Sequence, residues 1–411
     1  MSETNGLHNE PYFSDVGVIG LTPERWESVW QGRHYILTHL ARYFNVVWVN
    51  PADGWREAWV QKAEVRRQAD GLIRPGFSVY QHGPLLPRIH RPGIAASFTM
   101  KRRLLGARDI LKRKGCRTII LYVWRPELAN ALELIDHDLS CYHIDDEYTF
   151  SEVETPTGLI EAKVISQVNQ VFIHSGGLLQ KKGHLNPHTM LVPNGVDFTR
   201  YATPYREPDD MKEIRRPRIG YTGVLKKQLD WELLDRLSIE HPDWSFLFIG
   251  PVSSHDGLSS TVERLSKRRN VFFLGYKSVA DLTAYPQHFD VCIMPYRIDG
   301  YTKYIYPLKL HEYLASGRPV VGSHIDALQE FDQVISLAQT AEEWSRAISG
   351  LLDSAASSAE RVEARRRIAR KFDWNILVRL IARTLCERLG PSYLDRFGSL
   401  PVEDDVRRGE N

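Results

Sequence analysis

The stretch YPLKLHEYLASGRPVVGS, residues 306–323, predicts a short helix that is followed at once by a buried strand. Pro307 favours a helix start, because a proline is tolerated in the first turn, and Gly317 favours a helix stop. Leu310 and Leu314 recur at helical spacing, and the apolar run PVV after the glycine has the composition of a strand. A helix followed by a buried strand is the repeating unit of a parallel α/β sheet.

Apolar runs of strand length alternate with amphipathic segments of helix length along the rest of the chain. Near-continuous apolar strands separated by helices indicate parallel sheets that are covered on both faces. The runs form two series, which begin at Val16, Val46, Thr118, Val171 and Thr189, and at Arg218, Ser245, Val271, Asp290, Pro319 and Val334. Between the series, residues 202–217 contain three prolines and eight charged residues, so this segment is predicted to be a linker.

The fold class that this pattern predicts is α/β, with two doubly wound parallel-sheet domains and a cleft between them that holds the ligands. We predict a first domain over residues 1–205 and a second domain over residues 206–373. A helix over residues 374–396 and a flexible, charged tail over residues 397–411 complete the predicted organisation.

The composition is that of a globular protein, with 43% apolar and 25% charged residues among 411. The formal net charge of +2 gives no reason to expect a nucleic-acid partner. The four cysteines lie far apart, without a CxxC pair or a cysteine–histidine cluster, so we expect unpaired thiols and no metal site. No GxGxxG or GxxxxGK(S/T) pattern supports nicotinamide or P-loop chemistry. The polar N-terminus and the lack of an apolar run of about 18 residues predict a cytoplasmic protein.

Lys309 lies in the first turn of the predicted helix, where the helix dipole disfavours a cation by up to about 1 kcal/mol. The backbone amides at such an end lack intrahelical partners and attract anions, so a bound phosphate explains a lysine at this position. Glu312 lies three residues further along the same face, where a carboxylate suits the two hydroxyls of a ribose. This spacing predicts a nucleoside diphosphate on the helix, although a solvent-exposed Lys–Glu pair has the same spacing.

Residues 306–323 resemble the donor-site signature of the retaining GT-B glycosyltransferases known as glycosyl transferases group 1, or family 4. Residues 192–201, VPNGVDFTRY, look like the PNGVD segment that closes the family's N-terminal domain. Residues 218–251 and 270–296 look like the opening strands and the base-binding segment of the family's nucleotide-binding domain. Within the family, the chain looks closest to transferases of bacterial polysaccharide assembly, such as the teichuronic acid type.

The resemblance implies a GT-B fold, in which two Rossmann-like domains face each other across a cleft and a C-terminal helix crosses back to the first domain. The first domain then binds the acceptor, and the second binds the donor, a nucleoside-diphosphate sugar. Glu312 matches the glutamate that binds the donor ribose, Tyr276 stands where the nucleobase is held, and Gly223 lies in the turn beneath the diphosphate. The donor-binding candidates are Tyr276, Gly223, Lys226, Lys227, Tyr304, Tyr306, Pro307, Leu308, Lys309 and Glu312.

Two positions depart from the family pattern. Many members carry an EX7E pair, but Tyr304 stands where its first glutamate is expected. Many members also carry an arginine and a lysine soon after the first strand of the donor domain. This chain instead has Lys226 and Lys227, which are offset and lack the arginine, and an ordinary solvated pair is the alternative for them.

Polar residues at predicted strand ends of the first domain are candidates for the acceptor side. Asp145 and Asp146 follow an apolar strand and are, with Lys309, the catalytic candidates, because carboxylates bind acceptor hydroxyls or steady positive charge at the anomeric carbon. A helix N-cap is the alternative for this acidic run. The acceptor-binding candidates are Trp30, Arg33, Trp124 and Arg125, with core packing and surface ion pairs as the alternatives.

A strongly basic segment precedes the third run of the first series. Residues 88–117 contain ten Lys/Arg and one acid, Asp109, a local balance of 10 − 1 = +9. Met100, Leu104 and Leu111 recur within it at partial helical periodicity. Because basic amphipathic helices lie on anionic lipid, residues 97–117 predict peripheral contact with the inner face of the cell membrane. A solvated basic face, packed by its apolar side, is the alternative.

Together these features predict a retaining, metal-independent glycosyltransferase of bacterial surface polysaccharide or glycoconjugate synthesis. The expected donor is a UDP, GDP or dTDP sugar, and the expected acceptor is a saccharide or a lipid-linked molecule. No cofactor is expected, because a lysine and helix-end amides take the place of a divalent ion at the diphosphate. Two alternatives stay open: an inactive nucleotide-sugar-binding subunit of a polysaccharide assembly complex, and a sugar-nucleotide epimerase of the same fold.

Overall fold

The computed structural model describes residues 10–51, 75–81, 94–148, 157–254 and 256–401. These residues divide into two compact units. The first unit holds the described residues up to Pro193 and those from Leu377 onward, and the second unit is Asn194–Ile376. The predicted linker, residues 202–217, lies wholly within the second unit, where Met211 and Ile214 are buried in its core.

The first unit is built on a seven-stranded parallel sheet with the strand order β3-β2-β1-β4-β5-β6-β7. Its strands are β1 (Phe13–Leu21), β2 (Phe44–Val49), β3 (Phe77–Tyr80), β4 (Thr118–Val123), β5 (Leu139–Ile144), β6 (Gln170–Ile173) and β7 (Thr189–Leu191). The α-helices that lie between these strands are α1 (Gly32–Leu40), α2 (Ile94–Arg113), α3 (Ala131–Leu134), α4 (Thr157–Gln167) and α5 (Gly176–Lys182). Strands β2 and β5 are buried along their whole length, as expected for the near-continuous apolar strands of a covered parallel sheet.

The second unit is built on a six-stranded parallel sheet with the strand order β10-β9-β8-β11-β12-β13. Its strands are β8 (Arg218–Thr222), β9 (Ser245–Ile249), β10 (Val271–Gly275), β11 (Val291–Met294), β12 (Val320–Ser323) and β13 (Ser336–Ala338). Its helices are α6 (Phe198–Ala202), α7 (Trp231–Glu240), α8 (Ser259–Ser266), α9 (Val279–Leu282), α10 (Leu308–Ser316), α11 (Asp326–Gln329), α12 (Ala341–Leu351) and α13 (Ala359–Lys371). Short 3₁₀ helices in the two units are Pro126–Leu128, Gly183–Leu185, Asp209–Met211, Pro286–His288 and Ser354–Ser357.

The predicted α/β class with two doubly wound parallel sheets is confirmed. In each sheet the chain reverses the direction in which it adds strands, between β1 and β4 in the first sheet and between β8 and β11 in the second. Ligands of open α/β sheets bind beyond the carboxyl ends of the strands at such a switch point. The topology therefore gives each unit one preferred binding region.

The chain returns to the first unit through α14 (Trp374–Leu389) and then α15 (Pro391–Gly398). Arg388 contacts His188 at 3.0 Å, and the Tyr393 and Thr118 hydroxyls are hydrogen-bonded at 2.8 Å. The helix predicted over residues 374–396 is therefore two helices, which break at Gly390, where φ is +124°. The tail predicted from residue 397 begins inside α15, and residues 402–411 lie outside the described ranges.

Candidate functional site

Helix α10 begins beyond the carboxyl end of β11 and presents its N-terminus at the switch point of the second sheet. It starts at Leu308, one residue later than predicted, with Pro307 as the N-cap in an extended conformation. No side chain caps this end. The Leu310 N–H donates to the Pro307 carbonyl at 3.2 Å, and the amides of Leu308 and Lys309 before it are the donors that a helix start leaves for a ligand. Gly317 ends the helix with φ +78°, as the sequence predicted.

Lys309 reaches back from the first turn of α10 to the ends of β8 and β11. Its Nζ donates a hydrogen bond of 2.8 Å to the Tyr296 hydroxyl and lies 4.9 Å from the centre of the Tyr221 ring. The same ammonium group lies beside Gly223, the first residue after β8, whose φ is +126°. The predicted pair of Gly223 and Lys309 is therefore brought together at one point of the switch region.

Glu312 lies one turn after Lys309 and is partly buried. Burial raises the pKa of Glu312, while the charge of Lys309 and a hydrogen bond with the Tyr201 side chain act in the opposite direction. Tyr201 is itself buried, with 2% of its surface exposed. The Glu312 carboxylate is thus held at a fixed place on the flank of the helix, where it suits a pair of neighbouring hydroxyls.

The Tyr306 ring is buried in the second unit, so its backbone is the part of this residue that can meet a ligand. Its hydroxyl is hydrogen-bonded to His311 Nε2 at 2.9 Å, and Asn194 Nδ2 donates to its carbonyl oxygen at 2.6 Å. Burial lowers the pKa of His311 to about 3, so this histidine stays neutral. Tyr304 is partly exposed in the preceding turn, where its N–H donates to the Tyr301 carbonyl at 3.0 Å.

Three further donor candidates lie on the surface of the second unit. Tyr276 is 42% exposed and follows Gly275, which has a φ of +68° at the end of β10. The Lys226 and Lys227 side chains are exposed in the loop after β8. The backbone of this loop is fixed, because the Trp231 Nε1 donates to the Lys226 carbonyl at 3.0 Å and the Lys227 N–H reaches an aspartate at 3.1 Å.

In the first unit, Arg33 and Asp145 are brought together with Glu24 beyond the ends of β1 and β5. Arg33 Nε lies 2.7 Å from Glu24 Oε1, and Arg33 Nη2 lies 3.4 Å from Asp145 Oδ2. Burial raises the pKa of Glu24 to about 7 despite the Arg33 charge. Burial acts in the same direction on Asp145, but the Arg33 charge and a hydrogen bond from Tyr148 outweigh it and lower the pKa of this carboxyl.

Tyr148 links this ion pair to Arg125, which follows β4. The Tyr148 hydroxyl donates to Asp145 Oδ1 at 2.6 Å, and the Arg125 guanidinium lies 4.3 Å from the centre of the Tyr148 ring. Arg125 also pairs with Glu127 at 3.3 Å. The cluster of Glu24, Arg33, Arg125, Asp145 and Tyr148, here the first-unit cluster, surrounds the switch point between β1 and β4.

The three consecutive acids that follow β5, Asp145, Asp146 and Glu147, have different contacts in the structure. The first two of them are the predicted catalytic candidates. Asp145 enters the first-unit cluster, whereas Asp146 accepts a hydrogen bond of 2.8 Å from the backbone N–H of Glu147. Glu147 is buried and pairs with Lys181 and Lys182 at 2.8 and 3.1 Å. Asp145 therefore belongs to the first-unit cluster, whereas Asp146 stabilises the loop after β5.

The predicted acceptor tryptophans differ in their surroundings. Trp124 is fully buried, and its ring stacks on Tyr122 at 4.3 Å and on His143 at 5.6 Å. Core packing is thus the role of Trp124, and its prediction as an acceptor-binding side chain is corrected. Trp30 keeps part of its surface exposed and packs against Trp26 and His34, with ring centres 5.2 and 5.4 Å apart.

Helix α2 carries the basic segment that was predicted to contact lipid. Leu104 and Leu111 are fully buried, while Lys101 and Arg102 are exposed. Arg103 is not part of the basic face, because it is buried and donates from Nη2 to the Asn50 carbonyl at 2.5 Å. Residues 88–93 of the predicted basic segment lie outside the described residues. Among the helices that the structure describes, none is long and apolar enough to cross a membrane.

Sequence reasoning missed several residues of both regions. Tyr201, Tyr221 and Tyr296 lie next to Glu312 or Lys309, and Glu24 and Tyr148 complete the first-unit cluster. Tyr221 and Tyr296 stand at or just beyond predicted strand ends, which was the one available signal. In the described ranges, no group of three or more His, Cys, Asp or Glu residues is arranged to hold a metal ion.

Comparison with known proteins shows a similarity to one family over the second unit. Residues 216–354 match the model described as Glycosyl transferases group 1. The match covers most of the second unit, from the start of its sheet to the end of α12, and includes both Gly223 and α10.

One curated relative and several solved structures are also similar to this chain. Protein TuaH of Bacillus subtilis (strain 168), which is named as a teichuronic acid biosynthesis glycosyltransferase, is 29% identical over 242 residues. This match spans 54% of the chain and 57% of the relative.

The solved structures show the fold. Sucrose-phosphate synthase of Thermosynechococcus elongatus has a TM-score of 0.67 at 16% identity, over 92% of this chain and 98% of that one. Anabaena HepE in complex with UDP and glucose has a TM-score of 0.64 at 15% identity, over 90% of this chain and 99% of that one. The fold is GT-B, as the resemblance implied.

Proposed function

We propose that this chain is a group 1 glycosyltransferase, which transfers a sugar from a nucleoside-diphosphate sugar to a saccharide or lipid-linked acceptor. The observation that carries the proposal is the pairing of Lys309 with Gly223 at the uncapped start of α10, with Glu312 one turn further on. Helix-end amides and an ammonium group suit a pyrophosphate, and a fixed carboxylate suits a ribose diol.

In the proposed reaction, the bond between the anomeric carbon and the diphosphate oxygen breaks, and the nucleoside diphosphate leaves with the electron pair. The acceptor oxygen forms the new bond and loses its proton, and the leaving phosphate is the group that takes this proton. Negative charge grows on the diphosphate in the transition state, so Lys309 and the amides of α10 stabilise it directly. Retention of the anomeric configuration and independence from a metal ion are parts of the proposal that rest on the family resemblance.

The first-unit cluster is proposed to bind the acceptor. It offers the ionised carboxylate of Asp145 and the partly exposed guanidinium of Arg125, which can accept from and donate to sugar hydroxyls. The buried Arg33 and Tyr148 hold Asp145 in place. Asp145 is the catalytic candidate of this cluster, and the partly exposed Trp30 ring, which packs on His34, is a further acceptor candidate. The TuaH match supports an acceptor of the cell-surface polysaccharide class. The exposed basic face of α2 supports an acceptor presented at an anionic membrane on the cytoplasmic side.

The proposal is tested by incubating the protein with UDP-, GDP- and dTDP-sugars, with and without EDTA, while the released nucleoside diphosphate is measured. HepE was solved with UDP and glucose, which makes UDP-glucose the first donor to try. We expect slow release of nucleoside diphosphate that EDTA does not abolish and that Glu312→Ala removes. Binding without release contradicts the transferase and supports a nucleotide-sugar-binding subunit. A changed sugar on an intact nucleotide supports an epimerase.

A further inference from the structure

Two buried tyrosines hold the Lys309 ammonium group in the second unit. Lys309 Nζ donates to the Tyr296 hydroxyl at 2.8 Å, and the centres of the Tyr221 and Tyr296 rings lie 4.9 and 5.5 Å away. The Lys309 charge also opposes the rise that burial causes in the pKa of Tyr221. The ammonium group therefore lies between two aromatic rings and is bonded to one of their hydroxyls, a pattern that binds a cation strongly where water is excluded.

Both rings are fixed by the sheet rather than by the lysine. Tyr221 belongs to β8 and is 2% exposed, and its hydroxyl also reaches the Val224 carbonyl at 3.3 Å. Tyr296 follows β11, is 8% exposed, and forms an antiparallel bridge with Leu229 in the loop after β8. Because β8 and β11 are neighbours at the switch point, the two hydroxyls converge where that loop starts.

The ammonium group keeps its charge in this arrangement. It has three N–H donors, and one of them is directed to the Tyr296 hydroxyl. Burial raises the pKa of both phenols, so the hydroxyls stay neutral and do not neutralise the lysine. The positive charge, which also acts on Glu312, is held beside Gly223, where a phosphate can meet it.

We propose that Tyr296 and Tyr221 are positioning residues, which fix the Lys309 ammonium beside Gly223 and thereby set the affinity for the diphosphate group of the donor. The proposal rests on the function proposed above, in which Lys309 binds the diphosphate. A lysine side chain that moves freely loses rotamer freedom when it binds phosphate. A lysine side chain that the protein already fixes before the ligand binds loses less. The tyrosines then act on phosphate affinity only through the lysine.

A double-mutant cycle tests this dependence. The variants are Tyr296→Phe, Tyr221→Phe and Lys309→Met, alone and with each tyrosine change in the Lys309→Met background. Calorimetry measures the dissociation constants of UDP, GDP and dTDP and of the matching monophosphates. Tyr285→Phe is the matched control, because Tyr285 is a buried tyrosine of the same unit whose hydroxyl is bonded to Asp210 at 2.9 Å.

We expect Lys309→Met to weaken diphosphate binding by about tenfold or more and monophosphate binding much less. Tyr296→Phe should weaken diphosphate binding by about three- to tenfold, and by less than about twofold once Lys309 is replaced. Tyr285→Phe should leave both affinities unchanged. If Tyr296→Phe lowers the melting temperature so far that its dissociation constants cannot be measured, the Tyr221→Phe variants replace it in the cycle.

Three outcomes overturn the inference. Unchanged diphosphate affinity in both tyrosine variants, or the same loss with and without Lys309, shows that the tyrosines do not act through the lysine. Unchanged affinity in Lys309→Met overturns the phosphate role of Lys309 itself, and with it both the proposed function of this residue and the inference. The two failures are therefore distinguishable in one set of measurements.

Discussion

A Cβ atom placed on Gly223 would lie 3.1 Å from Cε and 3.4 Å from Nζ of Lys309. The lysine stem therefore occupies the space that any other side chain at residue 223 would need. The backbone at Gly223 also has φ +126°, a region that other residues rarely adopt. The glycine and the lysine are a matched pair, and a change at either position acts on the other.

Gly223→Ala should displace the lysine stem and strain the backbone. We expect the free energy of unfolding to fall by about 1–3 kcal/mol and the dissociation constant of the nucleoside diphosphate to rise about tenfold. Thermal melting and calorimetry measure the two effects. Gly257→Ala is the control, because Gly257 also has positive φ, +67°, but a Cβ there meets nothing within 4 Å. Equal loss of nucleotide affinity in both variants would contradict the role of the contact with Lys309.

Glu312→Ala should weaken nucleotide binding by about 1.5–3 kcal/mol, because the carboxylate accepts hydrogen bonds from the ribose. Burial raises the pKa of Glu312, so the carboxylate becomes protonated at a higher pH than an exposed glutamate does. Binding to the wild type should therefore weaken as the pH falls, at a higher pH than an exposed glutamate would require, while the difference between wild type and variant narrows. Calorimetry at several pH values measures this difference.

Glu213→Ala is the control for the ribose experiment, because Glu213 is an exposed carboxylate of the same unit. Its nucleotide affinity should equal that of the wild type at every pH. Tyr201→Phe should give a smaller loss than Glu312→Ala, since it removes only the hydrogen bond to the carboxylate. A pH-independent difference between wild type and Glu312→Ala would refute the ionised ribose contact.

The fold was predictable wherever a strand is apolar along its length. The run that begins at Thr118 became β4 with the predicted bounds, because a strand covered on both faces needs apolar residues at every position. β3 was missed, since Phe77–Tyr80 has only four residues and three of them are partly exposed. A short strand at the edge of a sheet carries too little apolar pattern to be separated from a loop.

The candidate site was predictable only in part, because contacts between distant segments leave no local pattern. Pro307 and Gly317 gave the bounds of α10 to within one residue, and Lys309 and Glu312 followed from helical spacing. The hydrogen bond between Tyr201 and Glu312 leaves no pattern in the sequence, because several strands and helices separate the two residues along the chain. Trp124 shows the same limit at a strand end, where the sequence does not tell which face of the sheet the next side chain enters.

Arg33→Lys should impair acceptor use, because one ammonium group cannot bridge both Glu24 and Asp145 as the guanidinium does. We expect the acceptor KM to rise about tenfold while the dissociation constant of the nucleoside diphosphate changes less than about twofold. Steady-state kinetics and calorimetry separate these two quantities. Arg42→Lys is the control, because Arg42 belongs to the same unit but lies over the Tyr12 ring. A selective loss of nucleotide affinity in Arg33→Lys would argue against the acceptor role.

Replacement of Lys101 and Arg102 by glutamine should reduce sedimentation with liposomes that contain phosphatidylserine. Both side chains are exposed on α2, and each basic residue near an anionic surface contributes about 1 kcal/mol. The partition coefficient should therefore fall about tenfold or more at low salt and less at high salt. Replacement of Arg361 and Arg367, which are exposed on α13, makes the same change in net charge. Equal losses for the two pairs would contradict a specific lipid-facing role of α2.

Glu24→Gln should change how stability depends on pH. Burial raises the pKa of Glu24 from 4.5 to about 7, so between these values the folded chain holds a proton that the unfolded chain releases. The free energy of unfolding of the wild type therefore falls as the pH rises through this window, by up to about 3 kcal/mol. Glutamine has no proton to lose, so the variant should gain stability relative to the wild type between pH 5 and pH 8.

Urea unfolding at pH 5, 6.5 and 8 measures this change, with Glu133→Gln as the control for an exposed carboxyl of the same unit. The relative stability of Glu133→Gln should stay nearly constant over the series. The Arg33 contact limits the size of the effect, because the guanidinium favours the ionised form of Glu24 while burial opposes it. Parallel pH profiles for Glu24→Gln and the wild type would mean that the Arg33 charge fully offsets burial, and that Glu24 is an ordinary partner of the ion pair.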